Sequence, residues 1–383
     1  MQNSDSVPEA RLEQLPEIET GEPVEESSSE VIADRGSWMA LRSRWNALAA
    51  ASPFDWPMVR HEFLTIFLDN FAPEVRLRVV VVRREETLAA GAALASRRCS
   101  YHGLPYSALT SLSNVHSGRF DLLALDDDAV RGLWRQIRAL PGWDVIELRD
   151  VPYGGRAEQL VALAARDGFL TGRWESMRTP FVDLKDGPPP SAKLRQNLRR
   201  RRRRLEEVGP VRVEELEGGA IDAFLERGFA LEAAGWKGRE GTAIAKDPAT
   251  RGFYRELAHE AARLGWLSLW GLSAGDRLVA FQFGLRAGGR QYLPKPAYDE
   301  GLGFCSPGQL LMEEVLESCR RRGLAEFDFL GPSMAWKRDW TPYDRVHAWH
   351  FIHRPTLTGR ALWSLRFWVA PTVHRWTQAL GGE

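Results

Sequence analysis

The spacing of apolar and polar positions changes period several times along the chain, and each change predicts an element. In the first half, helical spacing over 38–50 and 58–70 precedes an apolar run at 75–82 that reads as a strand. Polar residues 83–87 turn the chain into a second strand, 88–96; after a loop come a helix at 128–140 and a strand at 143–148. In the second half, helices at 221–234 and 249–264 precede a strand at 266–272. Ser273-Ala274-Gly275-Asp276 carries hairpin-turn residues, so 277–285 returns beside that strand. A third strand, a Gly-rich loop, a helix at 309–322 and a strand at 326–330 complete the copy. One pattern of helices, hairpin, helix and strand thus occurs twice. It predicts an α/β (α+β) chain of two tandem lobes, each a mixed, mostly antiparallel sheet flanked by helices. The expected boundaries are a first lobe at 37–186, a Pro-rich linker with an Arg-rich helix at 187–210, and a second lobe at 211–355. A Trp-rich helical segment, 356–383, ends the chain.

Length agrees with that division, since 383 residues exceed what one core usually organises. The formal net charge of zero argues against a general nucleic-acid binder, DNA included. Charge is nevertheless uneven. Residues 1–36 hold ten acids against Arg11 and Arg35, a local balance of −8, with few aromatics. Such a segment cannot bury enough surface to order itself and predicts a disordered acidic tail. It has neither the basic start nor the apolar run of a secretory signal. No uncharged apolar stretch approaches the roughly 20 residues a membrane helix needs. Cys99, Cys305 and Cys319 form no disulfide or metal pattern. The expectation is a soluble protein of a reducing compartment, by default the cytoplasm.

Two segments have two readings each. Ser191 is a suitable N-cap for a helix that Gly209-Pro210 ends, with Leu194, Leu198 and Leu205 on one stripe and Arg199 to Arg204 filling the rest. That helix is either a solvated element docked through its leucines or a surface for a polyanion such as RNA. The terminal segment carries Trp363, Trp368 and Trp376 with interspersed Arg, and Pro371 interrupts it. It either lies at a membrane interface as a peripheral anchor or packs back on its own domain.

The candidate chemistry gathers between 232 and 337. The loop Gly301-Leu-Gly303-Phe-Cys-Ser306-Pro307-Gly308-Gln309 feeds straight into a helix, exposing unpaired N–H groups at a positive dipole end suited to a phosphate or pyrophosphate. Chemistry beside such a loop needs a group poised to take a proton and another poised to give one. Asp328, between Phe327 and Phe329, and Glu232, beside Trp236, are candidate bases. Asp328 reads equally as a structural carboxylate paired with Lys337 or Arg338. Tyr298 is a candidate proton donor or a packed aromatic. Lys237 and Lys337 each adjoin a Trp, Trp236 or Trp336, as suits a ring stacked beside a charge anchor. His347, His350 and His353 recur every third residue, but 346–352 reads as a strand that points neighbouring members to opposite faces, so no metal is expected. Cys305 lacks a His that the sequence can place beside it and reads as structural.

Lys193-Leu-Arg-Gln-Asn-Leu-Arg199, Trp236-Lys-Gly-Arg-Glu-Gly241, Ala297-Tyr298-Asp299, Ser306-Pro-Gly308, Asp328-Phe-Leu-Gly331 and Trp336-Lys337 occur in this order. Together they resemble the double-lobed branch of the GNAT superfamily, the CelD-like acetyltransferases associated with cellulose and exopolysaccharide biosynthesis. These in turn look related to the Fem-type peptidoglycan aminoacyltransferases. The resemblance covers about 37–353 and is densest after Lys193. It implies two GNAT-like lobes and acetyl-CoA as acyl donor, with no metal. It also implies that backbone amides of Gly303, Ser306, Gly308 and Gln309 hold the pyrophosphate. The usual Arg/Gln-x-x-Gly-x-Gly/Ala form is absent from that loop. Three functions follow: an acyl-CoA-dependent N- or O-acyltransferase acting on a saccharide or small-molecule acceptor, a Fem-like enzyme drawing an aminoacyl group from tRNA, or a non-catalytic partner in polysaccharide assembly.

Overall fold

The computed structural model describes residues 27–216 and 219–369. In chain order the first elements are β1 (Ser27–Ile32), α1 (Arg35–Ala40), α2 (Arg42–Ala51), α3 (His61–Phe71), β2 (Arg76–Arg84), β3 (Thr87–Tyr101), β4 (Leu104–Ser111), β5 (Leu123–Ala124), α4 (Asp127–Ala139), β6 (Val145–Pro152) and α5 (Arg156–Arg166). Then come β7 (Leu170–Asp183), α6 (Ala192–Glu206), β8 (Val211–Leu216), α7 (Ile221–Ala234), α8 (Trp236–Arg239), α9 (Pro248–Arg263), β9 (Leu267–Ala274), β10 (Arg277–Ala287) and β11 (Arg290–Tyr298). The last are α10 (Pro307–Arg321), β12 (Glu326–Asp328), α11 (Ala335–Arg338), β13 (Asp344–His353) and α12 (Leu357–Ser364).

Two compact units result. The first comprises residues up to His61, Glu74–Ser176 and Val346 onward; the second comprises Glu62–Pro73 and Met177–Arg345. The first sheet runs β1-β2-β3-β4-β6-β13, with β4 and β6 as its one parallel pair and β5 added beside β3. The second runs β7-β12-β11-β10-β9-β8, again with one parallel pair, β11 and β12. Each unit is a mixed, mostly antiparallel sheet flanked by helices, as the repeated pattern predicts.

The boundaries need four corrections. Residues 1–26 of the expected tail lie outside the described residues, but Ser27–Ile32 is a paired strand in which Ile32 is buried. A short apolar pair inside an acidic window was averaged away, and Glu30 contributes by pairing with Arg83 at 2.8 Å. The expected second lobe also loses its end, because His347–His353 of β13 hydrogen-bonds to β6 in the first sheet. It gains the end of β7, where Phe181–Asp183 pairs with β12. Helix α3 contributes Glu62–Phe71 to the second unit, where Phe63 and Phe71 pack on Phe253.

The second unit buries two different faces. Leu194, Leu198 and Leu205 of α6 join Leu310, Leu311 and Val315 of α10 over Val279, Ala280 and Leu293. On β10 the alternate positions Phe281 and Phe283 meet Phe224 of α7 and Tyr254 of α9. The arginines of α6 point outward as its leucines point in: Arg199, Arg200, Arg203 and Arg204 are exposed, while Arg202 reaches Glu314 of α10. The terminal segment packs back on the first unit as far as Val369. Trp363 donates to the Thr171 carbonyl at 2.8 Å, and Phe367 packs against Trp174 and Phe351. Pro371 and Trp376 lie outside the described residues.

Gly228 sets how closely α7 approaches β10, because a Cβ there would stand 2.5 Å from the buried Phe281 ring. Gly228→Ala should therefore lower stability by about 1 kcal/mol, overpacking outweighing the gain in helix propensity. A chemical denaturation curve reads this, and a stabilised Gly228→Ala protein would contradict the packing.

Candidate active site

The site begins where two paired strands part. β11 and β12 are in register at Arg290–Glu326, Gln291–Phe327 and Tyr292–Asp328, and there β12 ends. β11 continues to Tyr298 with only β10 beside it. Sequence causes act from both sides. Near the end of β11 the Asp299 N–H donates to the Val279 carbonyl at 2.9 Å, so odd-numbered amides there face β10 and even-numbered positions face the vacated edge. Pro296 occupies one such position and Pro294 another, beside a bulge in the β10 pairing. A proline has no N–H to offer a neighbouring strand. Accessibility follows: 290–293 is mostly buried, whereas 294–297 is partly open and Tyr298 is 42 % exposed, although β11 lies inside the sheet.

From the other side a tight turn carries the chain away after β12. Asp328 is fully buried; its Oδ1 accepts the Leu330 N–H at 2.9 Å and its Oδ2 accepts from Arg345 at 2.9 Å. Leu330 and Gly331 both adopt positive φ, 45° and 61°, an uncommon state for a leucine that the surrounding contacts must hold. Lys337 of α11 supplies the hold, donating to the Leu330 carbonyl at 2.6 Å and the Pro332 carbonyl at 2.8 Å. Burial brings the Lys337 ammonium down to about 8, with Asp328 opposing the shift. The expected ion pair of Asp328 with Lys337 or Arg338 is thus corrected: the partner is Arg345, which also binds Glu326, while Arg338 binds Asp344. Lys337, expected at the substrate, is buried against backbone carbonyls.

The Gly-rich loop closes the far end of the gap. Residues Glu300–Cys305 form a 3-10 turn, Ser306 takes the left-handed conformation at φ 46°, and Pro307 opens α10. No side chain caps this helix and its first turn holds no acid; the Ser306 hydroxyl turns back to the Gly303 carbonyl. Gly308 lies against Tyr298, where an added Cβ would sit at 3.5 Å. Gly303, Ser306, Gly308 and Tyr298 therefore share one corner. Gln309 is a correction. Its backbone N–H, expected at the pyrophosphate, donates to the Ser306 carbonyl at 3.0 Å, while its side-chain amide donates to the Trp336 carbonyl at 3.3 Å and accepts from the Trp340 indole at 2.5 Å, which ties α10 to the Lys337 segment.

On the α7–α9 face, Glu232 is buried and doubly engaged, accepting from Lys237 at 2.7 Å and from the Ile244 N–H at 2.8 Å. Lys237 also reaches the Pro296 carbonyl of β11 at 3.3 Å. Trp236 is 43 % exposed, its N–H held by Glu300 at 2.7 Å. Lys295, which pattern reading passed over, sits on the open part of β11 with its ammonium 5.5 Å from the centre of the Tyr254 ring. Burial first, then the charge of Lys237, brings it down to about 8. Its signal in the sequence was Pro294-Lys295-Pro296, a cation set between two residues that forbid full strand pairing.

His347, His350 and His353 all lie in β13 of the first unit; His350 stands 3.5 Å from Glu158. Among the described residues no three His, Cys, Asp or Glu side chains gather as a metal would need. No helix among them is long and apolar enough to cross a membrane.

Comparison with known proteins bears on this geometry. FemX shares the fold with a TM-score of 0.58 at 11% identity, over 88% of this chain and 99% of that one. A conserved protein of unknown function from Bacteroides thetaiotaomicron superposes at 0.51 and 13% identity, over 85% and 99% of the two chains. A tandem GNAT protein from the clavulanic acid biosynthesis pathway scores 0.45 at 16% identity, over 86% and 100%. No curated protein sequence matches. The gap between β11 and β12, the α10 corner and the lysines all fall within residues 192–338, and that segment matches the family described as an acetyltransferase (GNAT) domain.

Proposed function

We propose that the second unit transfers an acyl group from an acyl-CoA, acetyl-CoA in the first instance, to an amine or hydroxyl of a small or saccharide-containing acceptor. The observation that carries this reading is the parting of β11 from β12 with the uncapped N-terminus of α10 at its open end. A bound acyl-CoA would supply an acyl group already activated as a thioester. The Gly308 N–H at the start of α10, where Pro307 has none and Gln309 and Leu310 donate to the Ser306 carbonyl, suits its pyrophosphate, and the vacated edge of β11 suits an extended chain that offers amide groups of its own. Tyr298, exposed beside Gly308, is the side chain we assign to protonating the departing sulfur.

Among the described residues, the two candidate carboxylates, Asp328 and Glu232, have both oxygens engaged. Asp328 builds the turn that opens the gap, and Glu232 orients Lys237. The acceptor's proton is better dealt with by electrostatics. Lys295 and Lys237 place positive charge beside the open part of β11, which favours the unprotonated form of an amine bound next to them.

The first unit has the same sheet pattern without the donor site. Its α4 is capped by Asp126, which accepts from the Ala129 N–H at 2.9 Å, and Asp127 and Asp128 fill the first turn. Arg84 and Arg156 bind these carboxylates at 2.7 and 2.8 Å. Asp128 is paired with Arg131, so an incoming phosphate would meet a side-chain cap and arginine-bound carboxylates where α10 presents neither.

A second reading, a polyanionic donor such as an aminoacylated tRNA, draws support from the exposed arginines of α6. Arg204 lies close enough to Cys305, one residue before Ser306, to act on its thiol. Replacing Arg200, Arg201, Arg203 and Arg204 with Gln should leave acetyl-CoA turnover nearly unchanged. A collapse of turnover together with a flattened salt dependence would favour the polyanion instead.

Two variants test the assigned roles. Gly308→Val places branches against Tyr298 at the mouth and should weaken CoA binding at least tenfold, about 1.4 kcal/mol, with the fold retained. Unchanged affinity by calorimetry would remove the α10 corner from the donor site. Asp328→Ala leaves Arg345 and the Leu330 turn short of a partner and should cost about 3 kcal/mol of stability. A variant of full stability with turnover down about 10² would return Asp328 to the role of base.

A further inference from the structure

The lysines of the second unit are out of balance with the acids around them. Lys237 lies within electrostatic reach of both Lys295 and Lys337. Glu232 is the carboxylate among them, and both its oxygens are taken. Asp328 and Glu326 are matched by two arginines, Arg345 on both and Arg290 at 3.8 Å from Glu326, so they do not neutralise the lysines. Three cations against one acid leave a surplus of two positive charges.

Within that surplus the three lysines differ. Lys337 is used by the turn carbonyls and Lys237 by Glu232 and the Pro296 carbonyl. Lys295 has neither a hydrogen bond nor an ion pair among the described residues. The face of Tyr254, at 5.5 Å, is its one close polar contact. It lies on 293–298, the part of β11 that β12 leaves uncovered, with Pro294 and Pro296 restricting the backbone on either side. A half-buried ammonium without an acceptor, held on a stiff strand beside a second ammonium, is arranged to receive negative charge from outside. Trp236, adjoining Lys237 and largely open, offers a flat apolar surface next to that charge.

We infer that Lys295, backed by Lys237, is an oxyanion subsite for the acceptor, so that the molecule receiving the acyl group carries a phosphate or carboxylate near its amine or hydroxyl. This rests on the acyltransferase reading and adds the acceptor's charge to it. The groups facing Lys295 are Glu232 of α7, Lys237 of α8 and Tyr254 of α9. Only the protonated ammonium binds an anion. Affinity should thus be full below about 8 and fall as pH rises through that value. Were Lys295 a general base, turnover would instead rise through the same range.

Inorganic sulfate is the probe, because its charge is constant over this range. The protein is first saturated with CoA so that the phosphate positions at α10 are filled, and sulfate is then titrated calorimetrically at pH 7 and pH 9.5. We expect binding at pH 7 that weakens at least tenfold at pH 9.5. Lys295→Gln should weaken it at least tenfold at pH 7 with CoA affinity intact. Lys295→Arg should keep it within about threefold and remove the pH dependence, since guanidinium stays charged. Sulfate binding equal in Lys295→Gln and the parent protein, or stronger at pH 9.5, would overturn the subsite. If CoA does not bind, the donor reading has failed. The same sulfate titration without CoA then still decides the role of Lys295.

Discussion

The rest of the second unit depends on one constraint, that two strands hydrogen-bonded for three residues cannot stay together afterwards. β11 brings prolines to the edge where a partner would need donors. β12 is turned aside by a leucine in the left-handed region, fixed by Asp328 from within and by Lys337 from beyond. Neither half would suffice alone. Prolines on β11 would still tolerate a strand beside them at a cost in hydrogen bonds, and a turn after β12 would still allow a later segment to fill the edge. Together they leave an extended backbone accessible inside a sheet, and α10 begins where that opening ends.

Both units place a buried carboxylate at the same point of their parallel ladders. In the second, the last register pair is Tyr292–Asp328, and Arg345 binds the acid. In the first, it is Thr110–Glu147, where Glu147 accepts from Tyr106 at 2.8 Å and from the buried Arg366 at 3.2 Å. Each unit thus has a buried acid bound by an arginine at the end of its short parallel pair, although the arginines come from different elements, Arg345 from β13 and Arg366 from the turn after α12. A further difference lies beyond the acid. β4 stops at Ser111, one residue past its last pair, whereas β11 runs six residues past its own. The first unit has also filled the N-terminus of α4 with its own acids. One copy keeps the scaffold and the other keeps the opening.

Much of this was legible in the sequence, for reasons that differ by residue. Helix 221–234 was predicted to the residue because its apolar spacing is regular and Gly235 ends it. The leucine stripe of α6 was equally plain. β7 was missed because most of its positions are half-exposed and no apolar alternation marks it. The transfer of β13 to the first sheet is a matter of long-range pairing that no local pattern carries. At the site, the Gly-rich loop that opens α10 was legible from its glycines and Pro307. The commitments of Gln309, Lys337 and Asp328 were not, since type and spacing do not say which carbonyl or guanidinium a polar side chain will meet. Lys295 was overlooked because its meaning lies in what fails to pair with it.

The most direct measurement is amide hydrogen exchange with and without acetyl-CoA, resolved to short peptides. Acetyl-CoA seated in the gap should slow exchange at Tyr298 and across 303–310, and leave 104–111 and 127–133 of the first unit unchanged. Protection confined to the first unit, or bound acetyl-CoA that leaves 298–310 exchanging as before, would contradict the placement of the donor between the parted strands.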